Sequence, residues 1–259
     1  MRSARVILLT NNQKVRIVRR KFRLSKRESV LSALCAVFFL ANVGAIGNGG
    51  RRRAKEMVCA SNLRRWAAVL FAYVEDHHGY FMDRGDATHW PEALGPYYGN
   101  RRLLLCPEAR RTYAEGALNP YLAWEYEDWR DDNVYRGSYV INLWLAYYSD
   151  GDRYWGTPYA SCASSVPMML DGQWKDMEPY PEDQPPVNEG DMWTPNAEEM
   201  RRACLNRHNG VNAVFMDGSV RKVGLKHLWV QWWYRGWEED LAQVGFPDWP
   251  EWMSNFPDP

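Results

Sequence analysis

The stretch Asn206–Gly224, NRHNGVNAVFMDGSVRKVG, narrows the possible folds more than any other part of the chain. Asn212 to Met216 reads as a short strand, with Val214 and Met216 on one face and Ala213 and Phe215 on the other. Asp217-Gly218 is a two-residue turn pair, because glycine tolerates positive φ and aspartate nearly so. Ser219 to Val223 returns as the second strand, so the stretch predicts a β-hairpin. His208 and Asp217 invite a metal or acid/base reading. One His and one Asp are too few ligands for zinc, and no other His has helpful spacing. The favoured reading is that His208 bonds nearby backbone and Asp217 serves only the turn.

The formal net charge is zero, with 32 bases and 32 acids, but the charge is unevenly placed. Ten Lys/Arg and no acid lie between Arg2 and Arg27, and Arg51, Arg52, Arg53 and Lys55 add four more bases. From Glu56 onward 18 bases face 31 acids, a net of −13. A basic end on an acidic body suggests that the end meets a membrane or nucleic acid. It adjoins an apolar run and has almost no aromatics, which favours membrane over nucleic acid.

That run, Val30 to Ile46, is uncharged for seventeen residues. It sits at the short limit for spanning a ~30 Å hydrocarbon core. A signal-peptide core and a membrane anchor compete. The small-x-small pattern of a cleavage site fits poorly at Ala41–Ile46, which favours the anchor. The sequence thus divides into a basic cytoplasmic leader (1–27), an anchor (28–50) and a globular domain (51–259), the last comprising a helix over 51–78 and sheet and loops over 79–259.

Within that domain Cys59, Leu63, Trp66, Leu70 and Tyr73 recur at spacings of 4, 3, 4 and 3, one face of a helix that Gly79 ends. Strand character appears over Ser138–Tyr147 and Val166–Asp171, and Leu225–Leu241 looks helical. Asp176–Asn196 holds five prolines and several acids and reads as an irregular loop.

Chemistry-bearing patterns are few. No GxSxG, Walker or GxGxxG motif is present. The five cysteines form no CxxC pair; apart from Cys35 in the apolar run, four could make up to two disulfides in three connectivities. The acidic loops Glu125–Asp132 and Asp150–Asp152 could hold calcium, though neither has the EF-hand pattern, and solvated loops are the simpler reading.

Several segments together resemble the type IV pilin-like pseudopilins of type II secretion systems, in the planctomycete-type group with a carboxy-terminal His-x9-Asp-Gly signature. They are Val58-Cys59-Ala60-Ser61-Asn62-Leu63, Tyr73 to Phe81, Tyr97 to Pro107 with its Cys106-Pro107 step, and Asn206-Arg207-His208 to Asp217-Gly218. Ser219–Leu228 and Asp248–Met253 extend the likeness, which covers roughly 200 residues. The chain departs from the group in two places. Eight residues, not nine, separate His208 from Asp217, and Ser25–Val30 stands where a glycine-led prepilin start is expected.

The resemblance implies an α+β, pilin-like fold: a long amino-terminal helix packed on an antiparallel β-sheet, with a loop-rich insertion and a short carboxy-terminal helix. It implies a non-enzymatic, membrane-anchored subunit of a type II secretion or type IV pilus-like assembly. The location would be the bacterial inner membrane, single pass, with the globular domain periplasmic or extracellular. The partners would be other pseudopilin subunits and the inner membrane, with no nucleic acid and no evident small-molecule substrate. His208, Asn212, Asp217 and Gly218 become structural signature residues, Cys59 and Cys106 a candidate disulfide, and no metal or catalytic residue is expected. The alternative is an exported module that binds glycan through Trp129, Trp155, Trp174 and Trp193 on its loops.

Overall fold

The computed structural model describes residues 26–149, 151–192 and 199–259, so most of the basic leader, Asp150 and Trp193 lie outside the described residues. The chain forms two compact units, 1–49 and 50–259. Helix α1 has the bounds Lys26–Asp76.

In the first unit Val30, Leu31, Leu34, Val37 and Phe38 are each 60–74% exposed. At 100° per residue they occupy a stripe roughly 120° wide on the helix. Among the described residues no helix is long and apolar enough to cross a membrane. This corrects the anchor expected at 28–50, and with it the single-pass inner-membrane location. The physical reason is short length: the seventeen residues of Val30–Ile46 make roughly 25 Å of helix, less than a ~30 Å hydrocarbon core. The uncharged residues that flank them between Glu28 and Arg51 are Ser29, Gly47, Asn48, Gly49 and Gly50, which add polar and backbone surface rather than apolar length.

In the second unit α1 buries side chains only from Cys59 onward. Cys59, Leu63, Trp66, Leu70 and Tyr73 are all buried, the stripe that the 3.6-residue period selects. The helix closes with His78 and Gly79 at positive φ and the Gly79 N–H on the Val74 carbonyl, which satisfies an otherwise orphaned acceptor. Three short helices follow: α2 (Arg84–Thr88), α3 (Trp90–Ala93) and α4 (Gly95–Tyr98). They carry Trp90 and Tyr98 onto Trp66, with ring centroids 5.1 and 5.2 Å away.

A two-stranded antiparallel ribbon, β1 (Trp124–Asp128) and β2 (Asn133–Gly137), precedes the main sheet. The main sheet contains β3 (Tyr139–Asn142), β4 (Pro167–Asp171), β5 (Asp176–Met177), β6 (Val211–Phe215) and β7 (Val220–Val223), in the order β5-β3-β4-β6-β7. β3/β4, β4/β6 and β6/β7 are antiparallel, but β3/β5 is parallel. The fold is therefore α+β with a mixed sheet, which corrects the expected long helix on an all-antiparallel sheet. The cause is the route taken after β4. The chain turns around the start of β3, where the Gly172 N–H bonds the Ser138 carbonyl, and returns on the far side with Ile141 N–H on the Lys175 carbonyl. Gly172 is needed there, since a Cβ would lie 2.5 Å from Val140 Cγ1.

The hairpin forms as β6 and β7, but every β6 residue is buried, so this strand is covered on both faces. The helix expected over Leu225–Leu241 is instead a 3-10 turn, Lys226–Val230, and a separate α5 (Trp237–Val244), with Gly236 at φ 90° between them. Among the described residues nine tryptophans give their indole N–H to main-chain carbonyls, for example Trp66 to Leu103, Trp144 to Pro179 and Trp252 to Pro186. The high tryptophan content thus caps carbonyls in segments with few ladder bonds, giving each ring a polar partner as well as a large buried area.

Candidate functional site

The hairpin signature separates into two environments. Asp217 sits in the turn, accepting the Ser219 N–H at 2.9 Å, and Gly218 adopts φ 80°. His208 lies at the other end of β6 and is buried. The five-residue strand between them spans roughly 17 Å, so the two cannot act as a pair. Asn212 is buried too, with its N–H on Asp171 Oδ2 at 3.0 Å.

His208 instead meets residues from three distant segments. Its Nε2 is 3.2 Å from Cys106 Sγ and 3.7 Å from Asp171 Oδ2. Cys59 Sγ lies 3.3 Å from Asp171 Oδ1, and the Tyr139 hydroxyl approaches the same sulfur at 3.5 Å. One ligand atom from each of Cys59, Cys106, Asp171 and His208 falls within 4.8 Å of the other three, and all four residues are buried. Cys59 comes from α1, Cys106 from the step before Pro107, Asp171 from the end of β4, and His208 from the approach to β6. The two cysteines that the family resemblance paired are therefore neighbours, each with a free thiol in the structure.

Arg207 supports the cluster from behind. Its side chain is fully buried, and its N–H groups reach the carbonyls of Pro120, Ser138, Leu122 and Gly172 and, at 3.2 Å, Asp171 Oδ1. Asp171 thus receives Arg207 on one oxygen and the Asn212 N–H on the other, which fixes its orientation.

Burial pushes the Cys59 thiol well above its usual range, helped by its bond with Cys106 and the Asp171 charge. Burial acts the same way on Cys106, but bonds from Cys59 and His208 together with Arg207 outweigh it and bring Cys106 down to about 6. Desolvation disfavours the His208 imidazolium, yet Cys106 and Asp171 raise its pKa overall. The arrangement offers two sulfurs, an imidazole nitrogen and a carboxylate oxygen at one point, donor types suited to thiolate chemistry or a transition metal.

The other sequence candidates do not form sites. In the ribbon Glu125 pairs with Arg136 at 2.9 Å, and Asp131 accepts from Tyr135 and Asn133. Asp128 is fully buried against His89 Nδ1 at 2.9 Å and also accepts the Arg130 N–H, so these acids already have partners. His77 Nδ1 lies on the Tyr73 carbonyl and its ring stacks on Tyr73 at 3.7 Å. Trp129 is exposed, but Trp155 is buried with its indole on Trp233, so Trp155 cannot join an exposed glycan platform.

Sequence reasoning named Cys59, Cys106 and His208 separately and missed Asp171. The signal was an acid closing the apolar run Val166–Leu170, since a charge on a buried strand must have a partner. No protein-family model, no curated protein and no solved structure matches this chain.

Proposed function

We propose that the chain is a non-enzymatic, pilin-like subunit of a type II secretion or type IV pilus-like assembly, working through lateral packing of its amino-terminal helix with the same helix of other copies. One observation carries this reading. Val30, Leu31, Leu34, Val37 and Phe38 are large apolar side chains left exposed on this segment, surface of the kind that packing against other helices removes from water. Covering such residues stabilises by about 25 cal/mol per Å² of apolar area removed from water, so neighbouring helices gain directly from contact. Charge supports self-assembly over a different partner: Arg51, Arg52 and Arg53 are exposed and positive, whereas the chain from Glu56 onward carries −13, so one copy supplies both signs.

Cys35 gives a direct test, because it is exposed within this segment. Mild oxidation of the purified protein produces Cys35-linked dimers if the helices pack side by side, and Cys35→Ser abolishes them. Leu34→Glu with Val37→Glu also abolishes them and returns the sedimentation profile to that of a monomer. A wild-type protein that stays monomeric at all concentrations, with no Cys35 cross-link, overturns the proposal.

A further inference from the structure

We propose that Cys59, Cys106, Asp171 and His208 form a four-ligand site for one zinc ion, which fastens helix α1 to the main sheet. The inference is independent of how the chain assembles.

The donor set fits first by identity. Two thiolates, one imidazole and one carboxylate are the ligand types of four-coordinate zinc, with bonds of about 2.3 Å to sulfur and about 2.0–2.2 Å to nitrogen and oxygen. Those bond lengths and a tetrahedral angle require neighbouring ligand atoms to stand about 3.4–3.8 Å apart. The structure places His208 Nε2 3.2 Å from Cys106 Sγ, Cys59 Sγ 3.3 Å from Asp171 Oδ1, and His208 Nε2 3.7 Å from Asp171 Oδ2. The carboxylate meets Cys59 and His208 through different oxygens, and one ligand atom from each of the four residues falls within 4.8 Å of the others, so a modest contraction around the ion completes the polyhedron. Magnesium and calcium are excluded by the two sulfurs, since both ions take oxygen ligands.

Charge fits second. Two thiolates and one carboxylate carry −3, zinc +2, and Arg207, bonded to Asp171, +1, so the loaded enclave is neutral. Loading a cluster that is neutral overall when empty releases two protons for one divalent ion, so no net charge enters the core. A buried divalent ion without that balance would carry a large desolvation penalty.

The surroundings fit third. Arg207 and the Asn212 N–H occupy one lone pair on each Asp171 oxygen and leave the others for the ion. Asn212 Nδ2 is buried without a hydrogen-bond partner, beside a main-chain N–H that lies on Asp171 Oδ2. A metal-bound Cys59 thiolate would give that orphan donor its acceptor. Asn212 also lines an open groove of about 380 Å³ beside Glu56, Met57, Ala60 and Lys222. Because the ligands come from α1, the Cys106-Pro107 step, β4 and the approach to β6, the ion would tie four segments together at the point where α1 first becomes buried.

The test uses the full chain with zinc and cobalt(II) as probes. The protein, purified without chelator, is expected to carry one zinc per chain by elemental analysis. Replacing zinc with cobalt(II) should give the visible bands of a tetrahedral ion and a thiolate-to-cobalt charge-transfer band. Cys106→Ser and His208→Gln should each weaken zinc binding by at least about tenfold, the least that loss of a supporting group produces. Cys162→Ser should leave it unchanged. If Cys106→Ser fails to fold, the wild-type protein decides alone: zinc released in step with blocking of Cys59 and Cys106 by a mercurial supports the site. Release without modification of those two thiols overturns it. So does a cobalt protein with no thiolate band, or a Cys59–Cys106 disulfide in protein taken directly from cells.

Discussion

Replacing Arg207 with Met is the sharpest test of how the sheet and its flanking loops are held. The guanidinium is fully buried and all five of its contacts are to acceptors: Nε to Pro120 O at 3.0 Å, Nη1 to Ser138 O at 2.9 Å and Asp171 Oδ1 at 3.2 Å, and Nη2 to Leu122 O at 3.3 Å and Gly172 O at 3.2 Å. Methionine fills much of the volume but donates nothing. Removing one partner of a buried ion pair costs about 3–5 kcal/mol, and each stranded carbonyl adds roughly 1 kcal/mol or more unless water reaches it. Even with partial relaxation the loss should be at least about 5 kcal/mol, which consumes much of the roughly 5–15 kcal/mol that holds a domain folded. Arg207→Lys keeps the charge but offers three donors in place of five, so its loss should be intermediate. Adding Asp171→Leu to Arg207→Met removes the stranded carboxylate but none of the four carbonyls, so rescue should be incomplete. Urea unfolding followed by tryptophan fluorescence, with chelator present to keep metal out of the comparison, measures all three. Arg207→Met within about 1 kcal/mol of wild type, or full recovery in the double variant, refutes the reasoning.

Two further outcomes follow from backbone and burial. Gly210→Ala should destabilise by at least about 2 kcal/mol in the same unfolding assay, because φ is 130° and a Cβ would sit 2.6 Å from the Val223 carbonyl oxygen. Burial pushes Tyr73 and Tyr98 up to about 12, whereas an unfolded tyrosine ionises near 10. The unfolded chain therefore sheds these protons first, so stability should hold below about pH 10 and fall as pH rises toward 12. Tyr98→Phe should make that fall shallower in Tm-against-pH scans, at the expense of the bond to the Pro91 carbonyl.

Features encoded by local period or turn chemistry were legible. Asp217-Gly218 marked the turn between β6 and β7, and the spacing of Cys59, Leu63, Trp66, Leu70 and Tyr73 marked the buried face of α1. Features set by distant pairing were not. β5 is two residues long and lies in a stretch rich in proline and acids, so nothing local predicts a strand; it exists because β3 offers an open edge. The break between the Lys226–Val230 turn and α5 is hidden by the close spacing of Trp229, Trp232, Trp233 and Trp237; the indoles of Trp229, Trp233 and Trp237 bond separate carbonyls rather than lining one helix face. The first apolar run misleads differently: its lack of charge suggests a span, whereas seventeen residues of helix fall short of a ~30 Å hydrocarbon core.

The candidate site shows why the signature stretch carries so many polar residues before a buried strand. Arg207, His208 and Asn212 are spread over six residues, yet all three converge on Asp171, which is 36 to 41 residues upstream on the neighbouring strand. Such convergence needs a kink, and Gly210 supplies it at a φ that other residues adopt only with strain. Before the kink, Arg207 and His208 reach the end of β4; after it, Asn212 continues as β6 with its N–H on the same carboxylate. Asp171 in turn is held against Cys59 on α1 and faces the His208 that meets Cys106. A single buried carboxylate therefore orders the junction of α1, β4 and β6. Substitutions there should act on the whole junction, whereas Asp217, fixed in its exposed turn, should tolerate exchange for another turn-forming residue.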